Sequence, residues 1–189
     1  MDFIVFIYGL LIGSFLNVLI YRIPREENIA FPSSHCTRCN SKLKWYDNIP
    51  LISYILLRGS CRYCGQKISL QYPLIELSNG IVYLILVNHF GLGLDLVFYA
   101  LIGSLLIGIT MIDLKEMIIP DSLVISILVL SIVHKLVNYF IYDLSPNILG
   151  SIGGLILAGG LFLLIVILTK GGMGGGDVTL IGALGFVLG

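Results

Sequence analysis

Two aspartates and four cysteines are the residues of this 189-residue chain whose type and setting suit chemistry. Asp113 closes an apolar run in Met111-Ile112-Asp113-Leu114-Lys115, and Asp177 follows Gly174-Gly175-Gly176 at the head of another. Ionisable groups at membrane depth are expensive and mark functional sites by default. Two carboxylates can cleave a peptide if one is ionised, to activate water, and the other is protonated, to donate to the carbonyl or the leaving amine. Held about 3 Å apart they cannot both ionise, so they share a proton. Gly174 and Gly176 suit that scheme, since a backbone without Cβ atoms can turn sharply and let a substrate strand approach Asp177. Plainer roles compete. An aspartate at a helix end is often interfacial or a cap, as expected for Asp95 and Asp143, and Asp121 is expected to N-cap a helix after Pro120. Residues 171–176 could equally be a flexible connector.

The cysteines occur as Cys36-x-x-Cys39 and Cys61-x-x-Cys64. Two such pairs can present four thiolates tetrahedrally, as a structural Zn²⁺ requires, although the separation of the pairs slightly exceeds the usual range. A redox pair or two disulfides are the alternatives. A reducing compartment favours the metal, as does the size of the segment, too small for a self-sufficient core. His35, beside Cys36, is expected to be a bystander.

These residues must be positioned by helices in a bilayer. The chain is 57% hydrophobic and 12% charged, against about 25% charged in soluble domains, with a mean hydropathy of +1.00. Apolar segments fall at about 3–21, 73–90, 96–112, 122–141 and 148–168, each near the ~20 residues that span a bilayer. A sixth run from Val178 to Gly189 is too short to cross, which leads to the expectation that the natural protein continues. Met1-Asp2-Phe3 lacks the basic start of a cleavable signal, so the first segment is expected to persist as a helix. Gly150, Gly153, Gly154, Gly159 and Gly160 read as helix-packing contacts. No internal repeat stands out, and nothing in the neutral net charge suggests nucleic acid.

Eight of the eleven Lys and Arg lie between the first two spans: Arg22, Arg25, Arg38, Lys42, Lys44, Arg58, Arg62 and Lys67. The positive-inside rule places that insert in the cytoplasm and the N-terminus outside. Alternation then brings both Asp113 and Asp177 to the inner side, with Lys115 and Lys170; only Lys135 does not fit. The fold class read from the sequence is an all-α polytopic membrane protein, a helical bundle with a small cytoplasmic zinc-binding insert between helices 1 and 2.

In this order and spacing the motifs resemble the type IV prepilin peptidases (leader peptidase and N-methyltransferase). Gly13-Ser14-Phe15-Leu16-Asn17-Val18 with Tyr21-Arg22-Ile23-Pro24 looks like that family's first helix and its exit. The cysteine pairs flank Asp47-Asn48-Ile49-Pro50-Leu51-Ile52-Ser53-Tyr54, and Tyr72-Pro73-Leu74-Ile75-Glu76-Leu77 resembles the approach to its second helix. Asp113-Leu114 with Ile119-Pro120-Asp121, and Met173-Gly174-Gly175-Gly176-Asp177-Val178, are similar to its two aspartate motifs, the latter carrying Gly-x-Gly-Asp.

The resemblance implies cleavage of the basic leader of prepilins or pseudopilins at the inner face of a bacterial cytoplasmic membrane, with Asp113 and Asp177 catalytic. It also implies methylation of the new N-terminus from S-adenosylmethionine, for which it points to the cysteine module and Glu76. Nothing in the residues themselves shows methylation, since no nucleotide-binding loop is visible. Glu76 could instead be an interfacial carboxylate paired with Arg22 or Lys67. On this reading residues 1–21 are the first span, 22–72 the zinc module and 73–189 the peptidase domain. Two departures stand out: Thr179 replaces the family's usual Lys, and the family's last helices are missing. The rivals are another Gly-x-Gly-Asp protease, of presenilin-like or preflagellin type, and a cation transporter with a zinc docking module. The cysteine module and first-helix motif disfavour the first rival. The sequence leaves oligomeric state open.

Overall fold

The computed structural model describes residues 1–189 and is all helical. Five helices are long and apolar enough to cross a bilayer: α1 (Asp2–Arg22), α3 (Gln71–Phe90), α4 (Leu94–Glu116), α5 (Asp121–Tyr142) and α6 (Ile148–Leu168). A five-residue helix, α2 (Ile52–Leu56), lies in the insert between α1 and α3, and α7 (Gly175–Leu188) closes the chain. The expected spans are therefore present, with α4 extended at both ends. The insert also holds α2 and a short turn of 3-10 helix at Trp45–Asn48, neither legible from a pattern so short.

The chain forms two compact units, Met1–Met111 and Ile112–Gly189. In the first, α1 and α3 pack closely because glycines remove the side chains between them. A Cβ at Gly9 would stand 2.8 Å from the Gly80 Cα, and one at Gly13 would stand 2.8 Å from the Glu76 Cα. Gly9 and Gly13 form a Gly-x-x-x-Gly pair, whose use in membranes is this backbone-to-backbone approach. A buried polar cluster ties the helices further. Asn79 donates to the Gly9 carbonyl (2.7 Å) and accepts from the Ser104 hydroxyl of α4 (2.9 Å), which also meets the Tyr83 hydroxyl (3.2 Å). Where water is absent, such groups must satisfy one another.

In the second unit α7 packs against α6 and α5. Gly159 and Gly182 face each other, an added Cβ on either meeting the other's Cα at 3.4–3.6 Å, and Gly154 and Gly185 approach still more closely. Gly154 and Gly159 are packing contacts, as expected, against partners on α7, Gly182 and Gly185, that the expectation does not include. Gly153 and Gly160 are not: nothing lies within 4 Å of a Cβ placed on either. Gly150 sits under Asn147, whose side-chain oxygen accepts its N–H at 2.9 Å and caps α6. Lys135, the misfit of the charge pattern, holds its ammonium 5.7 Å above the Phe186 ring.

Candidate functional site

Asp113 and Asp177 both belong to the second unit. Asp113 lies in the last turn of α4, exposed, and its carbonyl accepts the Met117 N–H at 2.9 Å, closing the helix before residues 117–120 lead into α5. Asp177 stands at the head of the last apolar helix, in the first turn of α7, half-buried. The chain reverses earlier, at Lys170 (φ 53°) and Gly171 (φ 89°). Gly174 is the N-cap of α7, and a Cβ on it would lie 3.3 Å from Oδ2 of Asp177.

Gly176 serves a packing purpose that sequence reasoning missed. A Cβ there would lie 2.8 Å from the Cβ of Ile119, so the segment that follows Asp113 rests directly against the residue that precedes Asp177. The two aspartate motifs meet through this contact. Asp121 does not cap α5: Pro120 is the N-cap, without a side-chain bond, and Asp121 is the first helical residue. An acidic side chain there still complements the positive end of the helix. Thr179 turns its hydroxyl back onto the Gly176 carbonyl at 2.9 Å, where the resemblance suggested a lysine.

The four cysteines form one cluster, with sulfurs all within 4.8 Å of one another and Cys36 3.9 Å from Cys64. All four are free thiols, which excludes the disulfide alternative for this structure. A tetrahedron of sulfurs about 2.3 Å from a zinc ion has edges of about 3.8 Å, so the donor set fits a metal after small adjustments. The two halves of the cluster have the same construction. Cys36 N–H donates to the Ser41 carbonyl and Cys61 N–H to that of Gln66, while Asn40 and Gly65 return their N–H groups to Cys36 and Cys61. Both return residues are left-handed, at φ 54° and 70°, as Asn and Gly tolerate. Single bridges, His35 with Lys42 and Ser60 with Lys67, flank them, and Arg38 donates to Gln66 across the cluster. The insert therefore does contain a repeat, Cys-x-x-Cys-(Asn/Gly)-(Ser/Gln)-Lys, too short to notice before its two copies are seen to fold alike. His35 bonds only toward the Ser33 carbonyl (3.3 Å) and remains a bystander.

The cluster's electrostatics are uneven. Cys39 falls to about 6 because the hydroxyl and backbone of Ser41 donate to its sulfur. At Cys64 the Gln66 N–H pulls downward, but desolvation and the neighbouring thiols outweigh it and push the group up to about 11.

Glu76 is buried on α3 and does not pair with Arg22 or Lys67. Its Oε2 accepts the N–H of Leu51 at 2.8 Å. Arg22 spends its guanidinium on three backbone carbonyls, those of Asn28, Ile29 and Pro32, at 2.5–2.9 Å. It thus wraps the start of the insert around the end of α1. Between α1, α3 and the insert lies a cavity of about 640 Å³, lined among others by Ser14, Asn17, Arg22, Asp47, Tyr54 and Glu76.

Two family descriptions match the chain: the bacterial peptidase A24 N-terminal domain over residues 7–90 and the type IV leader peptidase family over residues 100–189. Among similar proteins, the prepilin leader peptidase/N-methyltransferase of Neisseria gonorrhoeae is 35% identical over 97% of this chain and 72% of its own length. The Vibrio cholerae protein of the same name is 35% identical over 97% and 76%. The Myxococcus xanthus protein is 45% identical over a shorter stretch, 62% of this chain and 35% of its own length. No solved structure matches the chain.

Proposed function

The chain belongs to the type IV leader peptidase family, that of the prepilin leader peptidase/N-methyltransferases, and from that premise we propose that it cleaves the leader of type IV prepilins or pseudopilins with Asp113 and Asp177 as its catalytic pair. The observation that carries the pairing is the contact of Ile119 with Gly176, which draws the two aspartate motifs into one unit. In this reading the two carboxylates share one proton across the scissile bond. The ionised member takes a proton from the attacking water while the protonated member gives its own to the carbonyl oxygen. On collapse the proton taken from water passes to the leaving amine, and a hydroxyl proton returns to the second carboxylate. The short α6–α7 connection and the N-cap at Gly174 leave the backbone beside Asp177 bare, which suits a substrate held as an extended strand. The lysines and arginines of the insert support a cytoplasmic position for this chemistry in a bacterial inner membrane.

The cysteine cluster is read as a structural zinc site. Zinc bound by Cys36, Cys39, Cys61 and Cys64 would join the two knuckles and supply the stability that so small a module lacks. For the methyl transfer that the relatives' name includes, the cavity beside Glu76 is of suitable size, ligand sites usually falling at about 300–1,000 Å³. S-adenosylmethionine supplies an electrophilic methyl group on a sulfonium. Of the two acids on this cavity's wall, Asp47 is paired with Arg62 at 2.8 Å, which leaves the buried Glu76 carboxylate to face that positive charge.

The test uses the purified chain in detergent with a prepilin substrate. Either Asp113→Asn or Asp177→Asn should abolish leader cleavage while leaving bound zinc in place. Cleavage that survives both changes refutes the pair, and a wild-type protein that folds without metal refutes the zinc site.

A further inference from the structure

The insert presents an apolar face whose position relative to α3 says what must cover it. Helix α2 turns one side toward the cavity: Ser53, Tyr54 and, just beyond, Leu57 line it, half-buried, and Tyr54 donates to the Ile68 carbonyl at 3.2 Å. The other side is also apolar and open. Ile52, Ile55 and Leu56 are 54%, 71% and 76% exposed, and Trp45, in the adjoining turn of 3-10 helix, is 80% exposed. A module surrounded by water does not gather four large apolar side chains in this way without a partner.

The hydrogen bonds fix the depth of this face. Leu51, the residue before α2, is held by Glu76, about 9 Å along α3 from Leu70 at 1.5 Å per residue. Gly59, just after α2, accepts the N–H of Ile68 at 2.7 Å, two residues before Leu70. Helix α2 therefore runs beside the first turns of a membrane-spanning helix rather than beyond its end. Leu70, the N-cap of α3, and Leu74, Leu77, Ile81 and Ile85 on the helix form an exposed apolar stripe at helical spacing, and the level of α2 coincides with the start of that stripe. Charge agrees with the depth. The insert carries eight Lys and Arg against Glu26, Glu27 and Asp47, with Lys44 and Arg58 exposed at the two ends of the apolar segment.

We propose that α2 and Trp45 are a membrane-docking surface: the cysteine module lies on its own bilayer with Ile52, Ile55, Leu56 and Trp45 at the boundary of acyl chains and headgroups, and Lys44 and Arg58 against anionic lipid phosphates. Amphipathic interfacial segments bind in this manner, with tryptophan at headgroup level and basic side chains reaching the phosphates. The proposal needs only the membrane reading of the chain and stands whether or not the peptidase assignment does.

Trp45 is the single tryptophan, so its fluorescence reports this face alone. The whole chain is reconstituted, at low protein-to-lipid ratio, into vesicles of phosphatidylcholine and phosphatidylglycerol, with and without bromine on the acyl chains. Bromolipid should lower emission roughly two-fold or more, as for an indole at the acyl boundary, while aqueous acrylamide quenches weakly. Replacing Ile55 and Leu56 by aspartate, with zinc content confirming that the module is folded, should reverse the two sensitivities. Full acrylamide quenching of the wild type with no bromolipid effect overturns the proposal. Shielding from both quenchers assigns the face to a protein contact and overturns it equally. Bromolipid quenching unchanged in pure phosphatidylcholine removes the headgroup role given to Lys44 and Arg58.

Discussion

Ile119 occupies the space in which a side chain on Gly176 would begin, its Cβ only 2.8 Å from the position a Cβ on Gly176 would take. Gly176→Ala is therefore a test of how the aspartate motifs are held. Alanine is the better helix former by about 1 kcal/mol, so helix propensity favours the change. Overlap of two Cβ atoms opposes it with about 1–3 kcal/mol and must displace one segment. A shift of about 1 Å at a catalytic centre can cost about 100-fold in rate. Leader cleavage by Gly176→Ala should fall by about that factor while the protein stays folded. Adding Ile119→Ala should not restore it, because alanine keeps the offending Cβ, whereas adding Ile119→Gly should. Rescue by both, or by neither, would show that the contact does not set the site.

Much of this was legible in the sequence, for identifiable reasons. Spans of about 20 residues announce themselves because each must match the bilayer thickness, and the Cys-x-x-Cys pairs because thiolates so spaced suit one metal. Glycines on α6 could be read as packing contacts, but not which backbone each glycine would meet. Gly9 and Gly13 look like two more residues of an apolar run until α3 is seen against them, and Gly176 reads as flexibility when it is a fitted contact. Glu76 misled for another reason: charge suggested a basic partner, yet its observed partner is a backbone N–H, which carries no signature in the sequence.

The two cysteine knuckles fold alike but end on different residues, Asn40 and Gly65. Nothing lies within 4 Å of a Cβ on Gly65, so Gly65→Ala meets no clash; its φ of 70° is the only obstacle. A left-handed alanine costs about 1–2 kcal/mol, and thermal unfolding of the zinc-loaded chain should show that loss. Asn40→Gly, at φ 54°, should be neutral or slightly stabilising. A destabilised Asn40→Gly would mean that the asparagine side chain, not its backbone, supports the knuckle.

Zinc capture should release protons in a pH-dependent number. Four bound thiolates require four lost protons, but Cys39, lowered to about 6, has already lost its own at pH 7. Cys64, raised to about 11, still holds its proton there. Zinc added to the stripped protein at pH 7 should release fewer than four protons, and the number should approach four as pH falls below 6. By the same sign, the stability that Cys39 lends the metal-free fold is present above the pKa of an ordinary thiol and is lost as pH drops through about 6. Indicator-dye titration in weak buffer measures the release. A constant four protons across this range would contradict the assignment to Cys39.

Glu76 holds Leu51 at 2.8 Å and also faces the cavity, so its two roles can be separated by the choice of substitution. Glu76→Gln keeps an acceptor for the Leu51 N–H and removes the charge. Glu76→Leu removes both, leaving the N–H without its partner at a cost of about 1–3 kcal/mol. If the carboxylate serves methyl transfer, Glu76→Gln should lose methylation of the cleaved product and keep leader cleavage, zinc content and wild-type thermal stability. Glu76→Leu should lose stability as well. Cys36→Ser offers the complementary case, weakening methylation more than cleavage because Asp113 and Asp177 lie in the other unit. Methylation that persists in Glu76→Gln at wild-type rate would leave Glu76 with its structural role alone, as the anchor that ties the insert to α3.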